Sequence, residues 1–293
     1  MTIPRIASYP MPDAATMPEN RVDWTPDPAR AVLLLHDLQD YFLDFFAREA
    51  APLPELARNL LALRDACDAA GIPTIYTRQP DAQTLEQRGL LQDWWGPGVT
   101  AQPQRADVAA ELAPRSHDTV LDKWRYSAFV STDLRERMRD TGRDQLIVCG
   151  VYAHIGVMMT AADAFMHDIQ PFAIGDAVAD FSADEHRMAL DWIARRCGVV
   201  IGHQRCIDAV RGPAGLPDSL DALRLALAQS IGVPVDKVGA DDHPLHIGLD
   251  SIRLMALVER WTRDGAALTF VELAERETVA DWWRLIEPRK AAA

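Results

Sequence analysis

Short apolar runs alternate with helically spaced segments along most of the chain. Ala31-Val-Leu-Leu-Leu-His36 is an unbroken apolar stretch of strand length, the pattern of a strand buried on both faces. Residues 53–70 carry helical spacing and stop at Gly71, and 72–77 then read as a strand. Thr119-Val-Leu121 predicts a strand, 131–141 a helix ending at Gly142, and 145–149 a strand ending at Gly150. A helix over 154–168, a strand over 171–174, a helix over 183–196 and a strand over 198–201 complete the series. Strands alternating with helices imply an α/β fold: a parallel sheet with helices on both faces, three layers in all.

Two stretches break this rhythm. Six prolines (Pro4, Pro10, Pro12, Pro18, Pro26, Pro28) exclude regular structure from residues 1–30 and predict an extended arm lying on the domain. Two Gly and two Pro within 208–217 mark a linker. Beyond it the pattern is helical only: Leu220, Leu223, Leu227 and Ile231 form one stripe, and 252–263 and 278–286 repeat the character. The expected organisation is an α/β domain over 1–207, a linker over 208–217 and a small all-α, four-helix domain over 218–290.

The 293 residues suffice for both parts, and 48% hydrophobic content supports a sizeable core. A net charge of −13 argues against nucleic acid or an anionic membrane as the main partner. A small anionic substrate would need a local patch of Arg or Lys. Four cysteines (Cys67, Cys149, Cys197, Cys206) show no CxxC clustering, and the eight histidines show no paired ligand spacing, so no metal is indicated. No run has membrane-span length and no signal peptide is evident, which points to the cytoplasm.

In a parallel sheet, sites gather beyond the carboxyl ends of the strands. Asp37 follows the first strand, Lys123 follows the strand ending at Leu121, and Tyr152 to Gly156 join a strand to a helix. A strand-end carboxylate alone is more often a cap or a surface pair. An Asp and a Lys at neighbouring strand ends are more telling, because an ammonium holds the carboxylate ionised or orients it for proton exchange.

LLLHDLQDYF (33–42), YTRQP (76–80), DWWGPG (93–98), DKWRYSAF (122–129) and VCGVYAHIGVMMTAADAF (148–165) closely resemble the isochorismatases. GLDSI (248–252) resembles a carrier-protein attachment site. Their order is similar to that of bifunctional isochorismatase/aryl carrier proteins of catechol siderophore pathways such as enterobactin synthesis. The resemblance implies hydrolysis of the vinyl ether of isochorismate to 2,3-dihydro-2,3-dihydroxybenzoate and pyruvate.

The wider superfamily uses an Asp–Lys–Cys triad, and Gly156 stands at the position of its cysteine. Without a thiolate, covalent amide hydrolysis lacks its attacking group. A vinyl ether needs only a proton on its terminal carbon and a water to trap the oxocarbenium ion. The resemblance therefore makes Asp37 the general acid, with its pKa raised by burial or served by a relay, and Lys123 its orienting partner. It also implies a pocket lined by Phe42, Gln79, Arg88, Trp95 and Tyr152. The helix start at 154–157 is expected to offer backbone N–H groups to substrate carboxylates, with Gly156 permitting close approach.

Ser251 is the implied attachment point for 4'-phosphopantetheine, although a serine there also suits an N-cap. His246 and Ile247 depart from the acidic residue and tyrosine usual before GLDS. By resemblance, Met255, Phe270 and Ala274 form the face that meets synthetase modules. The implied partners are a phosphopantetheinyl transferase, an aryl-acid adenylating ligase, a downstream non-ribosomal peptide synthetase, and a second copy in a homodimer. Three alternatives compete: a degenerate hydrolase serving as carrier scaffold, an amidase such as nicotinamidase, and a phenazine-type hydrolase of an amino-substituted isochorismate. Gly156 speaks against the amidase and the GLDS module against the phenazine type.

Overall fold

The computed structural model describes residues 3–211, 216–231, 233–263 and 267–292. The chain divides into two compact units, Met1–Ile207 and Asp208–Ala293.

The first unit is built on one wholly parallel sheet of β1 (Ala31–His36), β2 (Thr74–Arg78), β3 (Thr119–Asp122), β4 (Gln145–Val151), β5 (Gln170–Ala179) and β6 (Val199–Ile201). Their spatial order is β3-β2-β1-β4-β5-β6. Every residue of β1 and β4 is buried, as their unbroken apolar sequences require of central strands. The intervening helices are α1 (Asp40–Leu43), α2 (Leu53–Ala69), α3 (Leu85–Arg88), α4 (Leu90–Trp95), α5 (Leu134–Asp140), α6 (Met158–Met166), α7 (Ala183–Arg196) and α8 (His203–Arg211).

Side chains alternate across each strand, so the sheet has two apolar faces. Val32 and Leu34 of β1 and Leu146 and Val148 of β4 pack with Leu134 and Met138 of α5, Ala161 of α6 and Ile193 of α7. α2 packs against β2, β4 and β5 and buries Leu56, Leu60 and Leu63. Residues 3–30 contain no helix or strand, as their prolines dictate. This arm is fastened by Ile6 N–H to the Phe45 carbonyl (2.9 Å) and by Asn20, whose side chain exchanges two hydrogen bonds with the Val200 backbone.

Three local expectations change. The helix expected from 131 starts at Leu134, because Ser131 adopts a left-handed φ of 59° that a helix cannot include. The helix expected from 154 opens with a π-helical turn, Ala153–Val157, before α6. Residues 208–211 of the expected linker continue α8, while 212–215 lie outside the described residues.

The second unit contains α9 (Leu220–Ile231), α10 (Ser251–Arg263), α11 (Phe270–Ala274) and α12 (Val279–Ile286). Leu223, Leu227, Leu254, Leu257, Leu273 and Ile286 surround Trp261 and Trp282, whose rings meet edge-on at 6.5 Å. Leu220 and Ile231 close the rim of this core. Among the described residues, no helix is long and apolar enough to cross a membrane.

Candidate active site

The strand order reverses direction between β1 and β4, and a crevice opens there at the carboxyl ends of the strands. Asp37 leaves β1 in a left-handed conformation (φ 49°), a strained geometry that sets its carboxylate at the crevice floor. Gln39 clamps the neighbouring strand end: its amide donates to the Gln79 carbonyl (2.8 Å) and accepts the Gln79 N–H (2.7 Å). Lys123 is tied to β2 by its N–H to the Arg78 carbonyl (2.7 Å).

Lys123 Nζ donates to Asp37 Oδ2 (2.8 Å) and to the Arg125 carbonyl (2.9 Å). The Thr77 hydroxyl donates to Asp37 Oδ1 (2.8 Å). Burial alone would raise the Asp37 pKa, but the Lys123 charge, aided by His36 and by the Lys123 hydrogen bond, outweighs it. The carboxyl is held well below the usual range. Of the two routes expected, a pKa raised by burial or a proton relay, this direction favours the relay: the ammonium lies at contact distance, and its attraction exceeds the desolvation cost.

Phe42, Gln79, Arg88, Trp95, Tyr152 and Gly156 all line the same pocket as Asp37 and Lys123. Arg88 is only 4% exposed, donates to Gln79 Oε1 (2.9 Å) and the Gly96 carbonyl (2.9 Å), and has no acidic partner among the described residues. Burial lowers its pKa, yet a guanidinium keeps its charge. Arg88 and Lys123 thus supply local positive potential in an acidic chain. Tyr152 packs edge-on against Phe181 (4.6 Å) and Phe42 (5.9 Å), while its hydroxyl donates to the Phe42 carbonyl (2.7 Å).

Several lining residues escaped the sequence reading: Ile3 of the arm, Tyr41, Leu91, Tyr126 and Phe181. Tyr126 lies within the same DKWRYSAF motif as Lys123, and its hydroxyl accepts from Trp95 Nε1 (2.7 Å). Tyr41 lies beside Phe42 in the first motif. Ile3 and Phe181 carry no comparable sequence signal.

Three of the expected helix-start N–H groups, those of residues 154, 155 and 157, are engaged within the protein. His154 N–H donates to Asp180 Oδ2 (2.6 Å), and the amides of Ile155 and Val157 both return to the Tyr152 carbonyl. His154 Nδ1 meets Asp180 Oδ1 at 2.5 Å. Burial would lower the His154 pKa, but Asp180 more than offsets it and the value is raised. At Gly156, an added Cβ would first meet the His36 ring, 3.0 Å from Nδ1.

No cysteine lines the pocket. Cys149 is fully buried in β4, and burial pushes its thiol pKa well up. Among the described residues, no group of three or more His, Cys, Asp or Glu side chains gathers as a metal site.

In the second unit, Ser251 is exposed at the first position of α10. Asp250, not Ser251, serves as the N-cap: its Oδ1 accepts the Arg253 N–H (2.8 Å) and its carbonyl accepts the Leu254 N–H (2.9 Å). The serine therefore has no need to cap and is itself exposed, which fits a covalent attachment point. Met255 is 55% exposed and Ala274 is exposed, whereas Phe270 packs partly against the core.

A crevice holding an acid–ammonium pair without a thiol, on a Rossmann-like sheet, in a chain that also carries a helical unit with an exposed serine, fits a hydrolase with a carrier module. Comparison with known proteins agrees. Residues 31–205 match the family described as Isochorismatase domain, and 218–286 match Phosphopantetheine attachment site. The chain belongs to the isochorismatase family and carries a phosphopantetheine-bearing carrier domain. It is 46% identical to Isochorismatase of Bacillus subtilis, covering 99% of this chain and 96% of that one. It is 45% identical to Enterobactin synthase component B of Escherichia coli, covering 98% of each. Phenazine biosynthesis protein PhzD1 of Pseudomonas aeruginosa is 51% identical but covers only 68% of this chain. A cysteine hydrolase from Pseudomonas syringae shares the fold at a TM-score of 0.59 and 25% identity, over 66% of this chain and 97% of that one.

Proposed function

We propose that residues 1–207 hydrolyse isochorismate with Asp37 as the acid and Lys123 as the reservoir of its proton. The observation that carries this reading is the 2.8 Å contact of two buried side chains in a pocket without a thiol. Arg88 and Lys123 suit the two substrate carboxylates, and the Phe42, Trp95 and Tyr152 rings suit its carbon ring. As the anionic substrate fills the pocket, its carboxylates disfavour the charge on Asp37 and the proton moves from Nζ to the carboxylate. Asp37 then protonates the terminal methylene carbon. Water adds to the oxocarbenium ion, its released proton returns to Lys123, and the hemiketal collapses to pyruvate and 2,3-dihydro-2,3-dihydroxybenzoate.

Residues 218–290 act as an aryl carrier joined through 208–217. Ser251 receives phosphopantetheine from a transferase; once attached, the group supplies a flexible arm ending in a thiol that carries the activated acid. An adenylating ligase loads 2,3-dihydroxybenzoate, and a downstream non-ribosomal synthetase meets Met255, Phe270 and Ala274. The product is a siderophore precursor, made in the cytoplasm by a homodimer formed through the hydrolase unit. The carrier unit disfavours the phenazine-type reading, since the phenazine relative aligns with only 68% of this chain. Pyruvate release from isochorismate by the purified chain tests the hydrolase; absence of turnover would leave only the carrier.

A further inference from the structure

We infer that His36 is a positioning residue, which fixes the Thr77 hydroxyl on Asp37 through a chain anchored by Thr160, and that Gly156 stays bare to seat its ring. The inference rests on Asp37 being the acid. His36, Thr77 and Thr160 are each 0% exposed, so no water completes their hydrogen bonds from bulk. His36 and Thr77 face each other in the β1–β2 register, and His36 Nε2 meets Thr160 Oγ1 of α6 at 2.7 Å.

The direction of each hydrogen follows from the Asp37 end. The carboxylate, held ionised by Lys123, only accepts, so the Thr77 hydroxyl donates its one proton to Oδ1 (2.8 Å). Thr77 Oγ1 then accepts from His36 Nδ1 at 3.3 Å, which puts the ring proton on Nδ1 and makes Nε2 an acceptor for the Thr160 hydroxyl (2.7 Å). Thr160 Oγ1 in turn accepts the Ala128 N–H (2.9 Å). Burial lowers the His36 pKa, so the ring is neutral and this single tautomer holds. The chain begins at a backbone amide, which gives up no proton during turnover. It therefore orients the acid and does not recharge it.

Gly156 belongs to the same device. A Cβ there would stand 3.0 Å from Nδ1 and 3.3 Å from Cε1 of the same ring, pushing it away from Thr77. A side chain at 156 would require the imidazole to give way by a few tenths of an ångström.

Thr160 lies outside the pocket lining, so it reaches the acid only through His36. Thr160→Val should lower kcat about tenfold, the scale of a modest misorientation, with KM within about twofold. Thr160→Ser keeps the hydroxyl and should restore kcat. His36→Leu should lose at least as much, and His36→Leu/Thr160→Val should be no slower than His36→Leu alone, because both cut one chain. Thermal unfolding of each protein checks the fold, and His36→Asn replaces His36→Leu in the cycle if the latter does not fold. Wild-type kcat in Thr160→Val, or a double variant whose losses multiply, would overturn the inference. Asp37→Asn in the same assay separates the two ideas: full activity there removes the acid itself, whatever the threonine variants do.

Discussion

Lys123 Nζ lies 2.8 Å from Asp37 Oδ2, with 2% and 7% of the two side chains exposed. Burial and the ammonium act on the Asp37 carboxyl in opposite directions, and the ammonium prevails. The low pKa of Asp37 in the free protein opposes its role as an acid, so the proposed mechanism requires the bound substrate to bring the two proton affinities together. The proton it needs is already present on its neighbour.

Asp37→Asn keeps the size of the side chain and removes its capacity to carry that proton. Turnover should fall at least about 100-fold, the usual scale for acid–base catalysis. Pyruvate release coupled to lactate dehydrogenase measures it, and near-normal activity would remove Asp37 from the chemistry.

Lys123 distinguishes a proton reservoir from a bare charge. Arginine keeps the charge but does not surrender its proton, so Lys123→Arg should be about as inactive as Lys123→Met. In Lys123→Met, burial is no longer opposed by the ammonium and the Asp37 pKa rises. The protonated acid then exists only below that raised value, so residual kcat/KM should grow as pH is lowered, while wild type stays flat near neutrality. A partly active Lys123→Arg enzyme with the wild-type pH profile would reduce Lys123 to an electrostatic role.

Gly156→Cys should not create an amidase. The new Cβ meets the His36 ring at 3.0 Å, and the pocket retains Arg88 for carboxylates. Isochorismate turnover should drop and nicotinamide should remain intact; measurable ammonia release from nicotinamide would contradict this.

The sheet was legible because its central strands are buried on both faces and read as bare apolar runs, as in 31–36 and 145–149. Asp37 and Lys123 were legible because strand ends point at the crevice. What escaped depends on tertiary contact. The 79–118 stretch hides α3 and α4, four and six residues long, which are too short for any periodicity to register. Whether burial or the ammonium governs the Asp37 pKa turned on a distance that the sequence does not carry, and the approach of Gly156 to His36 needed the register of three elements. Ile3 enters the pocket from an arm whose prolines say only that it is irregular.

His154 pins the turn after β4 to Asp180, and its pKa is raised in the folded state. Such a group stabilises fully below its unfolded value of about 6.5, and that contribution is lost as pH rises through the folded value. His154→Gln should therefore lower the melting temperature of the hydrolase unit most at about pH 6, with the gap narrowing at higher pH. Thermal scans of both proteins across this range measure the gap; a gap that widens with pH would reverse the assignment. His36 and His186, whose pKa values are lowered, are present in both proteins and cancel in the difference.

The two activities should separate through Ser251. Asp250 caps α10, so Ser251→Ala removes the hydroxyl without removing the cap, and the carrier should keep its stability. That variant should release pyruvate from isochorismate at the normal rate, yet gain no mass with coenzyme A and a phosphopantetheinyl transferase. Conversely, Asp37→Asn should accept phosphopantetheine and then 2,3-dihydroxybenzoate from an adenylating ligase while failing to hydrolyse isochorismate. The basis is that each unit has its own core: Trp261 and Trp282 with their leucines in one, the six-stranded sheet with its helices in the other. Intact-protein mass spectrometry and the pyruvate assay read the two arms independently. Continued mass gain in Ser251→Ala moves the attachment site elsewhere. Loss of hydrolysis in a folded Ser251→Ala protein would mean that the units are energetically coupled.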